Sequence, residues 1–569
     1  MKFYNFLFLL FLSFGYSQFD ISELYSYQNS QNQENTLNST SSTQNLPYPI
    51  IFIHGLNSNS DTWIDLATAM TYHGLTFGGR IDFCLNYDGN NSTANKLIFP
   101  GQGADIALFT DINTLNVADI YFLNFDIDNF GRLRSNINFS DVLSNESAIV
   151  KQGVAVKLAI QIVLQKTGRD KVILMGHSMG GLASREYIQN PINWQADGQH
   201  HVAKLITTGT PHGGYTGTNA VGTTIDSRSE AYRDLRKEYT YSGYDGVYLY
   251  GGIENTQVIN NSILTNFYNV DVNCNGINSD NSNIVGLNQK NLPLNLDYAY
   301  IIGNCQNCFH LQGTIEGDGI VRSVNANLNN FYTLPTPRNE FIYTANASTI
   351  LGLHSDLPSA IPVSFQGLDE PNEYHLSYQI EVNKTYKGFI SNQPVSGYSL
   401  DYDDYKFSIN TAGQYTINVV NTYSSNLNYR ILDNSLNILF TNAINPNSNA
   451  SFQHNLIAGN YYLEFYSSPN STSYIYPYSF NVQQSLSIDN ISMNDIIVYP
   501  NPFSNQISME SKDNINEIFI YNYLGQLIKS FKNSNFNSIP IDLSDLENGS
   551  YVAKIHLSKS TKIVKLIKN

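Results

Sequence analysis

Residues 174–181 read Leu-Met-Gly-His-Ser-Met-Gly-Gly, and the reading of this octapeptide decides the fold. It holds G-x-S-x-G at Gly176, Ser178 and Gly180, between an apolar run and a segment of helical pattern. That context places a serine on a tight turn from strand to helix, with its hydroxyl pushed into a cleft. A side chain at either glycine would collide with the neighbouring strand or helix, and the turn demands backbone angles that glycine tolerates best. The helix N-terminus beneath the serine aims its free N–H groups at any oxyanion formed there. The pattern predicts serine hydrolase chemistry. A chance Gly/Ser turn is the alternative, and the flanking signals weigh against it.

On either side of the octapeptide, apolar runs of the buried parallel-strand type alternate with helical patterns across residues 47–367. The strand candidates are Pro49–Ile53, Ile120–Phe125, Val172–Met175, Lys204–Thr208, Tyr298–Ile302 and Phe341–Thr344. Between two of them, Ser147–Lys166 carries Val150, Val154, Leu158 and Ile162 at a spacing of four and stops at Gly168, a helical stripe with a glycine end. Strand, helix and strand in repetition predict an α/β fold, a mostly parallel sheet with helices on both faces. Residues 215–297 break the rhythm with a Gly/Tyr/Asn-rich insertion, expected to be a lid or cap over the site. After residue 370 the helical period vanishes. Residues 374–484 show short alternating runs separated by Asn/Gly/Ser turns, the pattern of a β-sandwich, and residues 490–569 form a second all-β segment.

A serine needs a base and an orienting acid within hydrogen-bond reach. In sheets of this kind the chain order is serine, acid, histidine. His200 and His201 lie just before the next strand and His375 falls in the sandwich. His354, in Leu351-Gly352-Leu353-His354-Ser355-Asp356, follows the last strand candidate and is the expected base. For the acid, Asp318 stands out in Glu316-Gly317-Asp318-Gly319-Ile320-Val321, where flanking glycines allow a sharp turn that exposes the carboxylate. A lone G-D-G is more often a plain turn; the serine elbow and the chain order favour catalysis. The oxyanion donors are expected to be the N–H groups of Met179, next to the serine, and of Leu56, in Ile53-His54-Gly55-Leu56-Asn57. His54 reads as a structural histidine of that loop. No cofactor is expected.

With 569 residues the chain is too long for one core and should form several domains. A net charge of −16 argues against nucleic acid, whose phosphates it would repel. Residues 1–17 carry one cation, Lys2, and an apolar run from Phe3 to Phe14 too short to span a bilayer. They read as a signal peptide cleaved after Ser17, followed by a polar linker over 18–46. No later segment qualifies as a transmembrane span, so an exported soluble protein is expected. Of Cys84, Cys274, Cys305 and Cys308, the last two form C-x-x-C; a structural disulfide is favoured over zinc or redox chemistry, with the pairing left open. Asp271–Asp280 alternates oxygen ligands before a glycine, as calcium loops do, although an Asn/Asp-rich surface loop is the commoner explanation.

Phe52-Ile53-His54-Gly55-Leu56, Gly176-His177-Ser178-Met179-Gly180-Gly181, Thr208-Gly209-Thr210-Pro211-His212-Gly213-Gly214 and Gly317-Asp318-Gly319-Ile320-Val321 together resemble the α/β-hydrolase superfamily, and within it bacterial lipases and GPI inositol-deacylase-like lipases. The resemblance implies hydrolysis of lipid or other carboxylic esters by Ser178, His354 and Asp318. It also implies a conformational role for His212, and Asp356 resembles a calcium ligand of some bacterial lipases. Asp403-Asp404-Tyr405-Lys406-Phe407 and Leu456-Ile457-Ala458-Gly459-Asn460-Tyr461-Tyr462 resemble the bacterial pre-peptidase C-terminal domain, which implies an accessory module. The last segment, with Ile497-Val498-Tyr499-Pro500-Asn501-Pro502-Phe503, Tyr521-Asn522-Tyr523-Leu524-Gly525-Gln526 and Leu546-Glu547-Asn548-Gly549-Ser550-Tyr551, resembles the type IX secretion (type A) C-terminal sorting domain. It implies partnership with that secretion machinery in a Bacteroidetes-type bacterium, with a secreted or surface destination. Two rival readings remain open: a serine peptidase on the same fold, and a surface adhesin with a relict hydrolase domain.

Overall fold

The apolar run before the Gly176–Gly180 turn becomes the centre of a sheet. In the computed structural model of the chain, residues 44–87, 105–128, 130–133, 144–214, 230–235, 258–260, 283–285, 287–308, 316–332, 339–347, 352–391, 400–422, 425–467, 476–485, 496–522, 524–532, 536, 540–558 and 561–569 are described. Ten strands fall in the first part: β1 (Ile50–Ile53), β2 (Phe77–Tyr87), β3 (Asp105–Leu108), β4 (Ile120–Asn124), β5 (Val172–His177), β6 (Val202–Thr208), β7 (Val258–Asn260), β8 (Asn283–Val285), β9 (Asp297–Cys305) and β10 (Asn339–Ala345). Eight of them form one sheet in the order β10-β9-β6-β5-β1-β4-β2-β3, and β7 and β8 form a separate ribbon. Every neighbouring pair in the large sheet is parallel except β2 with β3. A parallel strand must be covered on both faces, and β1, β4, β5 and β6 are buried along their whole length. The α/β class expected from the sequence is therefore what the chain adopts.

Alternation along β5 sends Ile173 and Met175 to one face and Val172 and Leu174 to the other. The second face packs against helices α2 (Ile149–Thr167) and α3 (Met179–Gln189). Helix α2 ends where its glycine predicts, with Gly168 at φ 68° as a left-handed cap. Its buried face differs from the expected stripe. Val154 and Leu158 are only half-buried, whereas Val156, Ala159, Ile160 and Val163 are fully enclosed. The helix is apolar nearly all round, so a spacing of four could be drawn along more than one face; close contact with α3 selects the one bearing Gly153, where a Cβ would lie 2.8 Å from Glu186 Cγ.

The first face packs against helix α1 (Ile64–Tyr72) and helix α4 (Ile361–Leu368), and its core does not stop there. A single apolar cluster runs from Phe52 and Ile173 through Phe365 into Tyr386, Phe465 and Phe480 of the following β-sandwich. The sandwich has a five-stranded sheet, which includes Asp401–Ile409 and Gly459–Ser467, and a four-stranded sheet, which includes Gly413–Asn421 and Tyr476–Gln484. The chain divides into two compact units, residues 1–483 and 484–569. The second unit is all-β, with a three-stranded and a four-stranded antiparallel sheet around Ile507, Ile518, Ile520, Ala553 and Ile555. No helix among the described residues is long and apolar enough to cross a membrane.

Candidate active site

Parallel strands deliver their following loops to one edge of the sheet, so residues distant in sequence meet there. Ser178 sits directly after β5 at φ 53° and ψ −124°, a left-handed angle for a residue with a side chain. The turn closes because its glycines leave no room for substituents. A Cβ on Gly176 would lie 2.6 Å from the Gly180 carbonyl oxygen, and one on Gly180 would lie 2.5 Å from the Ile53 and His54 carbonyl oxygens. Helix α3 starts at the next residue, Met179, which puts its N-terminus under the Ser178 side chain.

His354 comes from the loop after β10, in a one-turn helix Leu353–Asp356. Its Nε2 lies 3.0 Å from Ser178 Oγ and its Nδ1 lies 2.7 Å from Asp318 Oδ2. Asp318 comes from the loop after β9, and its other oxygen accepts the N–H groups of Ile320 at 2.9 Å and Val321 at 2.7 Å. Those bonds fix which oxygen faces the imidazole. Asp318 and His354 are both buried. Two glycines of neighbouring strand ends make room for the pair. A Cβ on Gly303 would meet Asp318 Cβ at 2.6 Å, and one on Gly209 would meet His354 Nδ1 at 3.2 Å. Gly209 stands in the motif Thr208–Gly214 quoted above, whereas nothing in the sequence singles out Gly303, which lies two residues before the end of β9.

Gly55 brings the loop after β1 against Ser178: a Cβ there would lie 2.7 Å from Ser178 Cβ. Leu56 follows at once. The peptide on either side of Leu56 is pinned. His54 Nε2 accepts the Phe125 N–H at 2.9 Å, so His54 Nδ1 carries the hydrogen and donates to the Gly55 carbonyl at 2.9 Å. On the far side, the Asn57 N–H donates to Asn145 Oδ1 at 3.1 Å. Asn145 drew no notice in the sequence because nothing about an isolated Asn signals a loop brace.

His212 is buried beside the site. It accepts from Arg185 Nη1 at 3.1 Å and contacts Thr207 Oγ1 at 3.1 Å, and its pKa is pushed well below the usual histidine value by burial, with Arg185 adding to the effect. Of the insertion over 215–297, parts are described. Asp234 accepts the Ile149 N–H at the start of α2 at 2.9 Å, and Lys290 pairs with Glu186 of α3 at 2.9 Å. The loop Asp271–Asp280 and Cys274 lie outside the described residues, as do residues 1–17. Cys305 and Cys308 form a disulfide, and Cys84 is buried in β2. Asp356 is half-buried. Among the described residues, the group whose side chains could jointly hold a metal ion is Asp369, Glu370 and Asp403, away from Ser178 at the junction with the sandwich.

Comparison with known proteins places the two ends of the chain. Residues 46–265 match the PGAP1-like alpha/beta domain, and residues 497–569 match the secretion system C-terminal sorting domain. The first match ends before Asp318 and His354. No curated protein matches the chain. Among solved structures, a Listeria innocua gene product is 13% identical, with 58% of this chain and 96% of that one covered at a TM-score of 0.32. A lipase-esterase related protein from Clostridium acetobutylicum is 11% identical, with 56% and 91% covered at 0.25. The pre-peptidase C-terminal domain of a Bacillus anthracis collagenase is 23% identical, with 20% and 98% covered at 0.16. At these scores none of the three carries an argument about activity. The chain thus contains a PGAP1-like α/β-hydrolase domain, a β-sandwich after it, and a secretion system C-terminal sorting domain at its end.

Proposed function

We propose that the protein is an exported serine hydrolase that cleaves carboxylic esters of lipids or related substrates. The observation that carries this reading is the unbroken chain of contacts from Ser178 Oγ through the His354 ring to the Asp318 carboxylate, at 3.0 Å and 2.7 Å. In the proposed cycle Ser178 Oγ attacks the ester carbonyl while His354 Nε2 takes the hydroxyl proton. The negative charge that develops on the carbonyl oxygen meets the N–H groups of Met179 and Leu56. Their proximity to Ser178, through α3 and through Gly55, supports that role. His354 then returns the proton to the departing alcohol, which leaves an acyl group on Ser178. Water, deprotonated by His354, attacks the acyl carbonyl and releases the carboxylic acid. Asp318 holds the imidazole in the tautomer that keeps Nε2 free to accept.

Residues 47–367 form the catalytic domain in this reading, with 215–297 as a cap over the acyl site. Residues 374–484 serve as an accessory module and 490–569 as the address read by a type IX translocon after export by the signal peptide of residues 1–17. The test is hydrolysis of nitrophenyl esters of graded chain length together with labelling by a fluorophosphonate probe. Ser178→Ala is expected to abolish both. Ester hydrolysis that survives this substitution would overturn the assignment, and efficient peptide cleavage without esterase activity would move the substrate class to peptides.

A further inference from the structure

His177 precedes the nucleophile and takes no part in the cycle above, yet its position is costly. Alternation puts its side chain on the same face of β5 as Ile173 and Met175, where an aliphatic residue would suit the apolar surroundings. Its ring is buried instead between Trp63, edge-on at 6.4 Å, and the ring of His354, 4.8 Å away at 42°. Nε2 lies 2.9 Å from the main-chain carbonyl oxygen of His354. A carbonyl can only accept, so Nε2 carries the hydrogen. Nδ1 is buried with no hydrogen-bond partner among the described residues. A buried nitrogen left without a hydrogen bond destabilises the fold. Burial, with His354 beside it and His54 nearby, pushes the His177 pKa well below the usual histidine value.

The base depends on external ties. Its helix, Leu353–Asp356, is a single turn and cannot hold itself in place. The His354 N–H donates to the Asp318 carbonyl at 3.1 Å, and among the described residues its own carbonyl is held by His177. We propose that His177 is a positioning residue for the base: its Nε2–H, anchored in the strand that carries Ser178, fixes the His354 main chain so that the imidazole meets Oγ. This rests on the reading of Ser178 and His354 as nucleophile and base.

The test compares His177→Phe, which keeps an aromatic ring without a donor, with His177→Gln, whose amide N–H reaches a similar point. Fluorophosphonate titration counts functional sites, and kcat and KM are measured per titrated site on a short nitrophenyl ester. The expected result for H177F is a loss of about 10–100-fold in kcat with KM within about twofold, because small displacements of catalytic groups act on the chemical step. H177Q should stay within about threefold of the wild type. His177→Met supplies the donor-free comparison should H177F not fold. Equal losses in the donor-free and Gln variants, or a wild-type kcat per site without the donor, overturn the role of His177. A wild-type protein that fails to label at all overturns the reading of the site beneath it.

Discussion

Ser178 is held at φ 53°, an angle that costs a residue with a Cβ on the order of 1–3 kcal/mol. Glycine escapes that cost but loses about 0.5–1 kcal/mol to its greater freedom in the unfolded chain. The usual order of substitutions should therefore invert at this position. Ser178→Gly is expected to be about 1 kcal/mol more stable than Ser178→Ala, although both are inactive. Calorimetric melting of the two variants checks this; an alanine variant at least as stable as the glycine one would remove the strain argument. Gly55 makes the complementary case. Ala at 55 would bring a methyl to 2.7 Å from Ser178 Cβ and 3.2 Å from the His177 carbonyl oxygen. The loop must then shift, and with it the Leu56 N–H. Gly55→Ala should retain the melting temperature within a few degrees while kcat falls about 100-fold. Unchanged turnover would show that the loop after β1 does not form part of the oxyanion site.

At the scale of elements, the sequence was most readable where one physical demand dominates. Strands β1, β4, β5, β6 and β9 are largely apolar because both their faces are covered, and each shows as an apolar run; β10, at an edge of the sheet, alternates buried and exposed residues. Strands β2 and β3 were missed. β3 is an edge strand with β2 beside it, and β2 begins Phe77-Gly78-Gly79-Arg80, which reads as a turn. Gly78 is there because Tyr121 of β4 lies against it: a Cβ would sit 2.5 Å from Tyr121 Cζ, and the ladder shifts register between Phe77 and Gly79. The loop carrying Asp318 was recognised from its glycines, but its brace was not. Cys305 closes β9, its N–H donates to the Gly317 carbonyl at 2.7 Å, and Cys308 Sγ lies 3.8 Å from the Asp318 carbonyl oxygen. Cys305 also packs with Leu353, the residue before His354. A disulfide closing so short a loop restrains the unfolded chain by only about 2 kcal/mol. Its larger effect should be on the alignment of Asp318 and His354. The double substitution Cys305→Ser with Cys308→Ser is expected to lower kcat about tenfold, with KM unchanged and a modest drop in melting temperature. A variant that melts early but turns over normally would confine the disulfide to stability.

At the scale of the whole molecule, the change from helical to alternating periodicity after residue 370 goes with the all-β character of the chain that follows, because each periodicity reports which face of an element is buried. It could not reveal that the sandwich shares its core with the preceding sheet, or that the junction buries acid. Asp401-Tyr402-Asp403-Asp404 looks like a solvated strand, yet Asp401 and Asp403 are fully enclosed with Asp369 and Glu370. Glu370, Asp403 and Asp401 each have one tethered oxygen: Tyr405 donates to Glu370 at 2.9 Å, Tyr478 to Asp403 at 2.6 Å and the Ser391 N–H to Asp401 at 2.7 Å, while Glu370 Oε2, Asp401 Oδ1 and Asp403 Oδ1 have no hydrogen-bond partner among the described residues. Burial pushes the Glu370 and Asp401 carboxyls up to about 7, and burial with neighbouring carboxylates raises those of Asp369 and Asp403 well above the usual range. Lys204 bonds Asp297 at 2.8 Å and the Asp369 carbonyl, so it offsets only part of the charge. A carboxyl whose folded pKa is raised binds its proton more tightly in the folded chain. Its stabilising effect is full below its ordinary pKa and is lost as pH rises through the folded value. With chelator present, so that no divalent cation neutralises the group, the melting temperature should fall as pH rises from about 6 to 9, by on the order of 5 °C. Asp403→Asn and Glu370→Gln should each flatten the fall. A melting temperature that holds steady or climbs over that interval would mean that these carboxylates are already ionised in the folded protein and compensated by groups at the junction.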